Sequence, residues 1–284
     1  MDFPEPIVPK KNLSVDIHPI VRRRTGEPTP TIGQRMPVQD HLEPPTGFTG
    51  MVGRPVWLEA RSPFELRALR RSALWRGVGM PPGNGRPVLV FPGFLASRRS
   101  TAALDHVLRA AGWRCEVAPV GRNAGPAQHS IDKARETLRS LHDETGERVR
   151  IIGHSRGGQF GRILAVLYPE EVLQVIGVGT PLIVKYPSYL VVKIPAETLD
   201  RLWRKGAFGP VDTMREQGVD DLRYVEFPDE VDLVSVWSRS DGIVDWRLSL
   251  EPAATNVEVK ASHMGLINSV SGLQGIATAL ARVP

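Results

Sequence analysis

The chain has 284 residues, of which 41% are hydrophobic and 24% charged, a composition typical of a globular protein that buries a full core. Its one cysteine, Cys115, excludes an internal disulfide framework, and its apolar neighbours predict a buried structural thiol. The net charge of +5 lies wholly in residues 1–86, which hold 13 Lys and Arg against 8 Asp and Glu. Aromatic residues do not alternate with these basic residues, so we expect no nucleic-acid binding.

Residues 1–60 are rich in Pro, Gly and Thr and show no periodic apolar pattern. We therefore expect an N-terminal extension that is partly disordered. The first ten residues lack the basic and apolar regions of a signal peptide, and no apolar run reaches the roughly 18 residues that span a bilayer. These features predict a cytoplasmic protein and leave peripheral membrane contact open.

Residues 61–86 are predicted to form an N-terminal helix and a linker. Ser62 is the expected N-cap with Pro63 at the first helical position, and apolar residues recur at helical spacing as far as Trp75. A stretch rich in Pro and Gly, residues 80–85, then interrupts the pattern.

Strands and helices alternate after residue 87. The predicted strands cover 88–91, 114–118, 149–152, 173–178, 233–237 and 257–259, and the predicted helices cover 100–111, 127–144, 157–168 and 270–282. This alternation predicts an α/β fold, with a mostly parallel sheet and helices on both faces.

Residues 182–230 break this rhythm and are too many for an ordinary connection. Within them, residues 195–205 have the pattern of an amphipathic helix, with Leu199, Leu202 and Trp203 on one face. Such a segment at the carboxyl end of a strand predicts a helical lid insertion over the site.

Residues 153–158 contain a G-x-S-x-G motif with Ser155 at its centre. The motif follows a predicted strand and opens a predicted helix, which is the setting of a nucleophile elbow. The serine of such a turn is strained, and glycines two positions away let strand and helix approach. We predict that Ser155 is a nucleophile; the alternative is a glycine-rich turn without catalysis.

A serine nucleophile needs a base to take its proton, and the base needs a carboxylate to orient it. In proteins with this elbow the chain order is serine, acid, histidine. His263 is the one histidine after Ser155, and it lies between the last predicted strand and the closing helix. Asp241 follows the preceding strand and is the predicted acid. Asp245 is its rival, whereas Asp232 lies at the opposite end of that strand.

The tetrahedral intermediate of such chemistry needs two preorganised N–H donors. One is predicted at Arg156, directly after the nucleophile. The other is predicted at Phe94, in the loop after the first core strand, where Pro92 stiffens the turn and Gly93 leaves room for a substrate carbonyl. The alternative is a structural turn without a donor. No spacing of Cys, His and carboxylates predicts a metal site.

Four segments together, 88–97, 149–158, 233–244 and the surroundings of His263, resemble the α/β-hydrolase superfamily, particularly bacterial lipase-like serine esterases. The resemblance covers residues 87–284, which are expected to form one catalytic domain with a lid near 182–230. It implies the α/β-hydrolase fold and hydrolysis of a small-molecule or lipid ester through an acyl-enzyme, with no cofactor or metal.

The resemblance also implies a site, formed by the catalytic residues Ser155, Asp241 and His263 with the N–H groups of Phe94 and Arg156 as the oxyanion hole. Most relatives carry a smaller or uncharged residue in place of Arg156, so a guanidinium near the pocket is expected to favour a polar or anionic substrate. Two alternatives stay open, an acyltransferase with the same triad and a catalytically silent binding protein. The oligomeric state is not determined by the sequence.

Overall fold

The computed structural model describes residues 56–182 and 225–283 and, between them, residues 198, 201, 202, 219 and 222. The expected N-terminal extension therefore lies outside the described residues, apart from 56–60. Most of the expected lid, including most of the 195–205 helix, lies outside them as well. Within the described ranges, none of the helices combines the length and the apolar character needed to cross a bilayer.

The strands of the described chain form one parallel sheet. They are β1 (Pro87–Phe91), β2 (Arg114–Val117), β3 (Val149–His154), β4 (Val172–Val178), β5 (Asp232–Trp237) and β6 (Thr255–Glu258). Their order in the sheet is β2-β1-β3-β4-β5-β6, and each neighbouring pair is parallel. Every residue of β1 and β3 is buried, as expected for strands covered on both faces. The predicted parallel sheet is confirmed, with strand ends that differ by no more than two residues.

Helices cover both faces of this sheet. They are α1 (Ser62–Arg71), α2 (Ala102–Ala110), α3 (Ala127–Thr145), α4 (Arg156–Leu167), α5 (Gly265–Asn268) and α6 (Val270–Leu280). Apolar residues of α1, α2, α5 and α6 form one hydrophobic cluster, and those of α3 and α4 form another. Alternate residues of β1 point into the two clusters, because successive side chains of a strand face opposite ways. The predicted α/β architecture is confirmed.

The N-terminal helix begins and ends differently from the prediction. The predicted N-cap, Ser62, is wrong, because a 3-10 turn over Val56–Arg61 runs directly into α1 and its last residue occupies the cap position. The helix ends at Arg71 instead of Trp75. The reason is local: Ser72 adopts an extended backbone, and its hydroxyl donates to the carbonyl of Leu69 at 2.7 Å.

Two segments, predicted as an N-terminal helix with a linker and as a lid, contribute residues to the hydrophobic core. Leu69, Leu74 and Met80, all within 61–86, are buried in the α1–α2–α5–α6 cluster. On the other face, a set of apolar residues from the C-terminal part of the expected lid is buried with α3 and α4: Val219, Leu222, Val225 and Phe227. The Arg162 guanidinium of α4 donates to the Val225 carbonyl at 2.9 Å and so fastens this part to the domain.

Cys115 lies in β2 and is fully buried. Burial raises the pKa of its thiol well above the ordinary value, and the nearby Asp105 carboxylate acts in the same direction. Since the thiolate is the reactive species, we expect a thiol-specific disulfide reagent to leave the native protein unmodified. After denaturation the reagent should titrate one thiol per chain. Rapid reaction of the native protein would contradict the burial of this side chain.

Candidate functional site

Ser155 occupies the turn between β3 and α4. Its backbone has φ 53° and ψ −125°, a region that costs a non-glycine residue free energy. Its N–H donates to the Val178 carbonyl of β4 at 2.8 Å, and the residue is 9% exposed. The structure thus places Ser155 on a strained turn at the carboxyl end of the central strands.

Three glycines permit this turn. A Cβ on Gly153 would lie 2.3 Å from the Cα of Gly158, and one on Gly157 would lie 2.7 Å from the Phe91 Cβ. A Cβ on Gly158 would lie 2.1 Å from the Thr180 hydroxyl oxygen. These separations are far below van der Waals contact, so strand and helix approach closely because none of the three residues has a side chain.

Asp241 and His263 form a buried hydrogen-bonded pair. Asp241 lies in the loop after β5 and His263 in the loop between β6 and α5, and their Oδ2 and Nδ1 atoms are 2.7 Å apart. The other carboxylate oxygen accepts the N–H groups of Ile243 and Val244, both at 2.8 Å. A carboxylate only accepts, so Nδ1 carries the imidazole proton and Nε2 is the basic nitrogen.

The environment of His263 acts on its basicity in opposite directions. Burial lowers the pKa of His263, whereas the charge of Asp241, the hydrogen bond to it and the charge of Glu59 raise it. The raising effects together outweigh burial, so the pKa lies above its ordinary value. A general base is most effective when its pKa lies near the working pH.

His154 contacts His263 from the strand side. Its ring centroid lies 4.6 Å from that of His263, and its Nε2 donates to the His263 carbonyl at 3.0 Å. Burial, together with the charge of a protonated His263, lowers the pKa of His154 to about 3. His154 is therefore neutral near pH 7 and fixes the backbone of His263.

Gly179 lies between the turn of Ser155 and the Asp241–His263 pair. It follows Val178, the residue that accepts the Ser155 N–H, and its φ is +58°. A Cβ at this position would lie 3.2 Å from both the Asp241 Oδ2 and the His263 Nδ1. In the described part of the chain no hydrogen bond joins the Ser155 hydroxyl to the His263 ring. Such bonds often tighten only when substrate is bound.

The two rival carboxylates are engaged elsewhere. Asp245 caps the 3-10 turn Trp246–Ser249, where it accepts the Arg247 N–H at 3.0 Å and pairs with the same residue's guanidinium at 3.2 Å. Asp232 lies at the amino end of β5 and pairs with Arg282 at 3.0 Å. Of the three aspartates, Asp241 is the one that meets the histidine.

The loop after β1 lies directly over Ser155. A Cβ on Gly93 would be 3.2 Å from the Ser155 Cβ. The Ala96 N–H donates to the Gly93 carbonyl at 3.1 Å, which closes a turn whose second residue is Phe94. The Phe94 N–H takes no part in that bond. Arg156 is the first residue of α4, so its N–H lies at the positive end of the helix dipole.

Sequence reasoning missed Asn123, which links the loop after β1 to the side chain of Arg156. Its buried side-chain amide donates to the Pro92 carbonyl at 2.6 Å, just before the Phe94 turn. Its own carbonyl and that of Gly125 accept the Arg156 guanidinium, both at 3.1 Å. The Arg156 guanidinium, which the sequence predicted to favour a polar or anionic substrate, thus binds main-chain carbonyls of the loop between β2 and α3.

Two carboxylates were missed as well. Glu59, in the 3-10 turn before α1, and Glu65, in α1, contact the loops that carry Asp241 and His263. No local motif marks them, because their partners lie about two hundred residues away in the sequence. Among the described residues no group of three or more Cys, His, Asp and Glu side chains is arranged to hold a metal ion.

Comparison with known proteins identifies distant relatives. No protein-family model matches the chain. Palmitoyl-protein thioesterase ABHD10, mitochondrial, of Pongo abelii is 25% identical over 76% of this chain and 80% of the relative. The protein of the same name from Homo sapiens is 26% identical over 72% of this chain and 75% of the relative. Since both are named as mitochondrial, the cytoplasmic location stays a prediction.

A solved structure shares the fold. It comes from work on LipS and LipT, described as two metagenome-derived lipolytic enzymes, and matches with a TM-score of 0.50 and 16% identity. The match covers 71% of this chain and 98% of that chain. At this level of identity the likeness shows the fold alone.

The Asp241→Asn change should lower the pKa of His263. It removes the carboxylate charge that raises this pKa, whereas the lowering effect of burial remains. Titration of the ring by NMR checks this, with Asp245→Asn as the control that leaves the pKa in place. A raised native pKa stabilises the fold fully at pH below the unfolded value, and that contribution is lost as the pH rises through the folded pKa. The wild type's advantage over Asp241→Asn in unfolding free energy should therefore shrink as the pH rises. An unmoved pKa in Asp241→Asn would contradict the pairing.

Proposed function

We propose that this chain is a serine hydrolase of the α/β-hydrolase superfamily, which cleaves acyl esters through an acyl-enzyme. The observation that carries the proposal is the buried Asp241–His263 pair, whose Nε2 is left as the base, next to the strained turn of Ser155. A structural turn alone would not require a histidine oriented by a fully hydrogen-bonded carboxylate.

In the proposed reaction the Ser155 hydroxyl attacks the acyl carbonyl while its proton passes to the His263 Nε2. Asp241 stabilises the imidazolium that results, and the N–H groups of Phe94 and Arg156 donate to the oxyanion. The tetrahedral intermediate collapses as His263 returns the proton to the leaving group. Water, deprotonated by the same imidazole, then attacks the acyl-enzyme and releases the carboxylic acid.

We propose carboxylic esters as the substrate class and acyl thioesters as the second candidate. The thioester candidate is favoured by the names of the curated relatives, which are palmitoyl-protein thioesterases. The same residues serve both reactions, because the attacked carbonyl is common and only the leaving alkoxide or thiolate differs. Asn123 supports either reaction, since it ties the Phe94 turn to Arg156.

The Ser155→Ala variant should fold normally and lose nearly all hydrolysis, on the order of a 10⁶-fold fall in kcat. Initial rates with p-nitrophenyl esters of increasing chain length, and with the matching acyl thioesters, measure this and rank the two substrate classes. Ser140→Ala is the matched control, since that exposed serine lies on α3 and bonds only to Glu144. Equal turnover by folded Ser155→Ala would refute the proposal.

Asp241→Asn should lower kcat by roughly 10⁴-fold, because His263 then lacks the carboxylate that fixes its tautomer. Asp245→Asn should instead leave both kcat and the melting temperature almost unchanged, because asparagine caps a helical turn about as well as aspartate. Steady-state kinetics and thermal melts of the two variants separate these effects. If Asp245→Asn were the crippling change, the acid would be misplaced.

A further inference from the structure

Glu59 joins the loop of the acid to the loop of the base. Its carboxylate accepts three backbone N–H groups: that of His263 at 2.8 Å, that of Gly242 at 3.0 Å and that of Met264 at 3.1 Å. Gly242 directly follows Asp241, so one side chain holds the main chain beside both members of the pair. Hydrogen bonds to an ionised acceptor are roughly twice as strong as neutral ones.

A second carboxylate extends this contact. Glu65, one and a half turns further along the same segment, accepts the Ser262 N–H at 3.0 Å and also the Ser262 hydroxyl. Arg61 pairs with Glu65 at 3.2 Å and donates to the Ser240 carbonyl at 3.1 Å. The N-terminal segment therefore binds the residues directly before and directly after both Asp241 and His263.

Both loops carry glycine where these carboxylates approach. A Cβ on Gly242 would lie 3.0 Å from the Glu59 Oε1, and a Cβ on Gly265 would lie 2.1 Å from the Glu65 Oε2. A side chain at position 265 would displace Glu65 outright. The two carboxylates can approach the backbone this closely because Gly242 and Gly265 have no side chains.

We infer that Glu59 is a positioning residue for the Asp241–His263 pair: it fixes the main chain on both sides of their hydrogen bond and places a second negative charge beside the imidazole. The inference rests on the hydrolysis proposed above, because it assigns Glu59 a part in that reaction. Glu59 does not touch the reacting atoms and acts through His263.

If Glu59 has this role, its charge should affect the pKa of His263, which depends on all the charged groups around the ring. Asp241 faces the ring from the β5 loop, neutral His154 from the end of β3, and Glu59 from the 3-10 turn, while Glu65 reaches Ser262 with Arg61 beside it. The Glu59 charge raises the pKa of His263 against the lowering effect of burial. The same charge stabilises the imidazolium that forms during acylation.

The test measures kcat and KM against pH for the full chain with a p-nitrophenyl ester. Glu59→Gln should move the acidic limb of kcat/KM to lower pH. The variant has one negative charge fewer near the ring, so the imidazolium is less stable. Glu59→Ala should in addition lower kcat by about 10- to 100-fold with little change in KM, since a misplacement of about 1 Å can cost on the order of 100-fold. Glu144→Gln is the control: this exposed carboxylate on α3 pairs with Arg114 at 2.8 Å, and the change should leave both quantities at their wild-type values.

Glu59→Asp, which keeps the charge on a shorter side chain, should leave the acidic limb at the wild-type pH while lowering kcat. A limb displaced in Glu59→Asp as far as in Glu59→Gln would overturn the inference. So would a fall in melting temperature with an unmoved limb in Glu59→Gln, which a purely structural residue would give. Fluorophosphonate labelling of wild type separates the two failures, because a protein unlabelled at Ser155 would refute the proposed function itself.

Discussion

The site depends on how closely strand β3 and helix α4 approach at Ser155. A serine at φ 53° costs on the order of 1–3 kcal/mol, and the surrounding structure has to impose it. The imposition comes from the packing: strand and helix approach so closely that no Cβ would fit at Gly153 or Gly157, and β3 lies fully buried in the middle of the sheet. The strained turn lifts the serine hydroxyl to the carboxyl edge of the sheet, where the loops after β1, β5 and β6 converge.

The groups around the serine are held by hydrogen bonds between side chains and main-chain atoms. Asp241 receives two N–H groups of its own loop, and the His263 main chain is bonded to His154 and Glu59. The Phe94 turn is bonded to Asn123. Each contact would fix a group of the proposed site before substrate arrives, which is the condition for electrostatic stabilisation without reorganisation. The site is accordingly preorganised by residues from the whole length of the described chain.

Burial and charge act in opposite directions on the pKa of His263. A fully buried imidazole would ordinarily stay neutral and lose basicity, as His154 does. His263 has the same burial but faces two carboxylates, and its pKa rises. The pKa values of these two equally buried histidines move in opposite directions because only His263 lies beside carboxylates.

The sequence predicted those parts of the structure that are written in consecutive residues. The turn of Ser155 is one, because its glycines and flanking elements form a continuous pattern. Asp241 and His263 were then predicted from the order in which serine, acid and histidine follow one another along the chain. Glu59, His154 and Asn123 were not predicted as supports, since their partners are 204, 109 and 31 residues distant. The Ser62 cap was wrong for a related reason, because tertiary contacts of Glu59 extend helical structure ahead of it.

The central claim is that Ser155 is a nucleophile activated by His263. The most direct measurement is the site of modification by a fluorophosphonate, mapped by mass spectrometry of the digested protein. We expect one adduct per chain on the peptide that contains Ser155, formed rapidly in wild type and absent after Ser155→Ala. Labelling of a different residue, or equal labelling of the Ser155→Ala variant, would contradict the account.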